Sequence, residues 1–156
     1  MTTRRAHRTL PRIGNVMDER ITVTPRTGDA PPSAQEACRI GTMRRITAAR
    51  LRYYGLEPLM SDVTLIVTEL LTNALLHSGT TEIGLQITVD AGTLHISVRD
   101  GMPGAANPHP THEHAESGRG LQIVAALVRD LGGVWGTRDS GAETWCDLAL
   151  PAGAAA

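Results

Sequence analysis

With 156 residues, 41% of them hydrophobic and 20% charged, and a formal net charge of -1, the chain has the size and balance of one globular domain. Nothing in that balance pulls it globally towards nucleic acid or an acidic membrane. All fifteen basic residues are Arg, which excludes a P-loop, the strand lysine of the common protein-kinase fold and Schiff-base chemistry. Cys38 and Cys146 form no CxxC pair, so no disulfide framework is expected. No apolar run approaches the roughly 20 residues of a membrane span, and the Arg-containing start leads into Pro11 instead of an apolar signal core. A cytoplasmic chain without a membrane partner is the expectation.

Residues 1–19 are Arg-rich and patternless and read as a flexible tail; residues 20–151 read as the domain and 152–156 as a second short tail. Ile21–Thr24 alternates like a short strand, and the Pro- and Gly-containing stretch to Ser33 reads as a loop. Ser33 followed by Glu36 is a capping-box pattern, which predicts a helix from about residue 34 to Tyr54, ended by Gly55. A second helix is expected after Pro58, because Val63, Ile66, Val67, Leu70, Leu71 and Ala74 recur at three- and four-residue steps and form one apolar stripe. Glu82–Val89 and Thr93–Val98, separated by Asp90-Ala91-Gly92, predict a β-hairpin. Residues 101–117 have no period and read as a long loop. A third helix opens at Gly118–Gly120, buries Leu121, Val124, Ala125, Val128 and Leu131, and ends at Gly132-Gly133. Strands near Val134–Thr137 and Thr144–Leu150 close the chain. The pattern implies a two-layer α/β sandwich, one sheet covered on one face by about three helices.

Three stretches carry chemistry. In the second helix Glu69, Asn73 and His77 follow one another at i, i+4 steps on the flank of the apolar stripe. Asn is a poor interior helix residue, so Asn73 either faces a crevice or is a chance polar flank. The hairpin's second strand ends in Asp100-Gly101, which is either a turn signal or a carboxylate aimed into a pocket, able to accept from an exocyclic amine. Glu116-Ser117-Gly118-Arg119-Gly120-Leu121 leads into a helix, whose first N–H groups and positive dipole end favour a phosphate.

In this order, an E-x-x-x-N helix, an Asp-Gly strand end, a long loop and a G-x-G helix entry resemble the GHKL (histidine-kinase-like, Bergerat fold) ATPases. The phrases TELLTNALLHS, ESGRGLQIV and GAETWCDLAL further resemble the bacterial anti-sigma-factor serine/threonine kinases over residues 33–150. The resemblance implies a Bergerat-type sandwich with a mixed or antiparallel sheet, and a regulatory protein that binds ATP and Mg²⁺. It implies that Glu69 acts as base towards the phosphoryl acceptor and that Asn73 holds Mg²⁺ on the phosphates. Asp100 and Thr144 would hold the adenine edge; Gly104, Gly118, Arg119, Gly120 and Leu121 would line the nucleotide site, under a lid of residues 105–117. Where the family has Asp-x-Gly-x-Gly this chain has Asp100-Gly101-Met102-Pro103-Gly104, and Pro103 restricts both itself and Met102.

The partner implied is a protein, a sigma factor or a small antagonist of the anti-anti-sigma kind, and a homodimer is compatible with it. The alternative is an ATP-gated sequestration module without catalysis, sharing the same pocket. A nucleic-acid arm is disfavoured because no aromatic interleaves the N-terminal arginines. The loop histidines His109, His112 and His114, with Glu113, match no paired-ligand metal pattern and are read as bystanders.

Overall fold

The computed structural model describes residues 14–24, 33–77, 81–100 and 115–151. Among these residues five strands and three α-helices follow in the order β1 (Gly14–Thr22), α1 (Ala34–Tyr53), α2 (Met60–His77), β2 (Glu82–Asp90), β3 (Thr93–Arg99), α3 (Ala115–Asp130), β4 (Val134–Arg138) and β5 (Glu143–Ala149). The sheet has the order β1-β2-β3-β5-β4, and every pairing is antiparallel. The helices lie on one of its faces.

Strand periodicity builds the interface between the layers. In β2, Ile83, Leu85, Ile87 and Val89 are buried, and in β3 so are Leu94, Ile96 and Val98. Every second residue of each strand thus turns inward. Against them α2 sets Val63, Ile66, Val67, Leu70 and Leu71, each 1% exposed or less, so the stripe read from the sequence is the core face. Ala74 packs against the same cluster. From α3 come Val124 and Val128, with Leu121 half-buried within the helix and Leu131 half-buried just beyond its end. Each fully buried aliphatic side chain is worth about 1.5–3 kcal/mol relative to exposure, so the two-layer contact dominates the stability.

Local signals fix most boundaries. The capping box opens α1: Ser33 accepts from the Glu36 N–H, and the Ser33 N–H donates to the Glu36 carboxylate. The β2–β3 turn places Ala91 and Gly92 at positive φ, the geometry of a tight hairpin.

Three expectations are corrected. β1 begins at Gly14, inside the stretch read as a tail, because a bulge between Asn15 and Met17 turns both Val16 and Met17 inward and breaks the alternation that marks a strand. α3 begins at Ala115, so residues 115–117 are helical and Gly118–Gly120 lie inside the helix. Glu57–Leu76 is long and apolar enough to cross a membrane by length and composition, but its apolar stripe is the helix face that packs on the sheet.

Candidate functional site

Glu69 and Asn73 occupy one ridge of α2, one turn apart and both half-buried, on the flank of the buried stripe. α3 packs along this helix and brings Gly120 onto Glu69. A Cβ at residue 120 would stand 3.0 Å from Glu69 Oε2 and 3.9 Å from the Glu69 carbonyl oxygen. No side chain larger than hydrogen fits there without displacing the carboxylate.

The second half of the site sits where β3 and β5 end. The Asp100 N–H donates to the Ala142 carbonyl at 2.9 Å, which holds the residue in line with the sheet. Its Oδ1 atom is shielded from solvent. Val98 pairs with Thr144, and Thr144 shares the inward parity of Cys146 and Leu148. Two residues beyond Val98, Asp100 falls on the same side, so Asp100 and Thr144 share the helix side of one sheet end.

Of the residues singled out in the sequence, the structure thus places Glu69 beside Gly120 and Asp100 near Thr144. Gly118 and Arg119 belong to the α3 backbone, their side-chain surroundings lying outside the described residues, as does Gly104 together with the loop to His114. Leu121 packs against the core. With α3 starting at Ala115, the N–H groups left without helical partners are those near residues 115–118, not those around Gly120. The need for glycine at 120 is therefore spatial, a close approach to Glu69, and not an exposed N–H.

The residue types suit a nucleotide and its divalent ion. Among the described residues no group of three or more His, Cys, Asp or Glu forms a metal cage. Mg²⁺ in phosphoryl-transfer sites takes only one or two protein oxygens, the rest coming from phosphates and water, and the Asn73 amide beside Glu69 supplies that kind of hard oxygen. A shielded carboxylate oxygen at Asp100 suits an exocyclic amine, which is a donor only.

Residues 33–146 match the family model of the histidine kinase-like ATPase domain. The chain belongs to that family. No curated protein matches it. Among solved structures it is similar to the histidine kinase domain of a blue-light activated histidine kinase from Erythrobacter litoralis EL346. The identity is 23%, over 74% of this chain and 61% of that one, with a TM-score of 0.46. The chain thus spans about 61% of the length of that relative. As a histidine kinase-like ATPase domain it is an ATP-binding protein, and its antiparallel five-stranded sheet with three helices on one face is the sandwich the sequence pattern implies.

Proposed function

We propose that this histidine kinase-like ATPase domain is a Mg-ATP-dependent protein serine/threonine kinase of the anti-sigma-factor type, acting on a small antagonist partner in the control of transcription. The observation that carries the reading is the close approach of Glu69 Oε2 to Gly120, 3.0 Å from where a Cβ would stand. A helix interior gives up side-chain packing at that point, and what it admits is a carboxylate at the edge of the phosphate-binding helix.

Bound Mg-ATP supplies the phosphoryl group. Glu69 takes the proton from the incoming serine hydroxyl, and Gly120 leaves its carboxylate room to do so. Asn73 would hold the metal from the next turn of α2, and the first N–H groups of α3 would offer donors to the phosphates. Asp100 accepts from the adenine amine, with Thr144 beside it. Such transfer asks mainly for positioning and charge neutralisation, which this set of residues can provide without a lysine.

The test is to incubate the protein with labelled ATP, Mg²⁺ and the proteins encoded beside it, and to locate phosphoserine or phosphothreonine. A modified partner supports the kinase. ATP-dependent capture of a partner that never becomes phosphorylated replaces the kinase with the sequestration module and leaves the nucleotide site intact.

A further inference from the structure

The helices cover one face of the sheet, and on the other face the rows of β1, β2 and β3 carry polar side chains interrupted at Gly84. Gly84 lies in β2, paired on one side with Arg20 of β1 and on the other with Arg99 of β3. Glycine inside a strand weakens it and often marks the close approach of a ligand or another backbone. Other glycines here answer to the fold. A Cβ at Gly120 would press on Glu69, one at Gly133 would reach 2.3 Å from the Asp147 carbonyl, and one at Gly136 would lie 3.1 Å from the Trp145 ring. Gly84 does not. Its φ is not in the left-handed region, and an added Cβ would meet only the Arg99 carbonyl at an ordinary 3.9 Å. Gly84 lies in the floor of a concavity of about 360 Å³, within the size range of small-ligand sites.

We propose that the concavity over Gly84 binds a small zwitterion carrying an α-amino-acid group, its carboxylate held by Arg20 and Arg99 and its ammonium by Asp18 and Gln86. The guanidinium of Arg20 pairs with Glu82 at 3.2 Å and that of Arg99 with Asp139 at 2.8 Å, all four side chains being more than half exposed. Such pairs are weak in water and readily exchange for a ligand carboxylate, which Arg can hold through two parallel bonds. In the adjacent row of the ladder Asp18 faces Gln86, and both are exposed oxygen acceptors suited to an ammonium. The far wall is set in place. The buried Ser97 hydroxyl donates to Glu143 Oε1, and Glu143 Oε2 lies 3.8 Å from the Arg99 guanidinium, which steadies it over the concavity.

Charge selects the class of ligand. The carboxylates of the lining disfavour a bare polyanion and the two guanidiniums disfavour a bare polyamine, whereas a ligand of both signs satisfies each wall. The site is separate from the nucleotide site. Arg99 and Asp100 are successive residues, as are Glu143 and Thr144, so the two members of each pair point to opposite faces of the sheet.

The full chain is titrated with free glycine, glutamine, glutamate and arginine, with acetate and ethylammonium as single-charge controls, while backbone amide resonances are followed. At least one amino acid is expected to give saturable shifts at Gly84, Gln86 and Ser97, and neither control is. Gly84→Val projects a strand-favouring side chain into the floor of the concavity, and is expected to keep the fold and weaken binding about ten-fold or more. If that variant does not fold, Asp18→Ala and Gln86→Ala, both at exposed positions, decide in its place. Absence of saturable shifts with every amino acid overturns the proposal. So does an equal response to either control, or undiminished binding in a folded Gly84→Val or, failing that, in both alanine variants.

Discussion

Glu69 Oε2 approaches Gly120 across the α2–α3 interface so closely that a Cβ at position 120 would stand only 3.0 Å from it. The obstacle is the end of a flexible side chain, so Gly120→Ala need not break the fold. Alanine also gains up to about 1 kcal/mol of helix propensity over glycine. The expected outcome is a thermal midpoint near or above the native value with phosphoryl transfer reduced, because the carboxylate is pushed off its position. Measuring melting and transfer on the same preparation checks this; native-rate transfer in Gly120→Ala would contradict it.

Asp100→Asn is expected to weaken ATP binding by roughly 1–3 kcal/mol and to narrow the preference for ATP over GTP. The amide can present a donor where the adenine amine needs an acceptor. Calorimetry with both nucleotides decides, and an unchanged preference would remove Asp100 from the adenine site.

Gly133 has a different reason to be glycine. A Cβ there would stand 2.3 Å from the Asp147 carbonyl and 3.1 Å from both Leu148 and Val128, backbone and core that cannot yield. Gly133→Ala is expected to cost about 1–3 kcal/mol of stability through overpacking. Urea unfolding measures it, and a loss near zero would contradict the packing of α3 onto the end of β5.

The two cysteines should differ in reactivity. Burial first, and then the neighbouring Asp147 carboxylate, push the Cys146 thiol up to about 12, while Cys38 is exposed. Only the thiolate reacts readily, so iodoacetamide near neutral pH is expected to modify Cys38 alone in the folded chain and both in denaturant. Equal modification of the two in the folded chain would count against the buried place of Cys146 on β5.

Features written in local chemistry were legible from the sequence. The capping box of Ser33 and Glu36 marks the start of α1, the alternation around Asp90-Ala91-Gly92 marks the hairpin, and the spacing of Val63 to Leu71 marks the core face of α2. Features that depend on other elements were not. The β1 bulge destroys the period-two signal at Val16 and Met17. Gly118 and Gly120 look like the breakers that open a helix, but α3 runs through them, because position 120 needs space for Glu69 and that need exists only once α2 and α3 have packed. The concavity over Gly84 is likewise invisible in one strand, since it arises from the register of β1, β2 and β3.

The most direct test of the account is the Glu69→Ala variant, assayed for ATP affinity and for phosphoryl transfer to a partner. Glu69 is read as a proton acceptor beside α3 and not as a holder of the nucleotide. The expected result is ATP affinity within about a few-fold of native together with a loss of transfer of roughly 10²–10⁴, the usual consequence of removing a general base. Transfer at the native rate in Glu69→Ala would contradict the central claim.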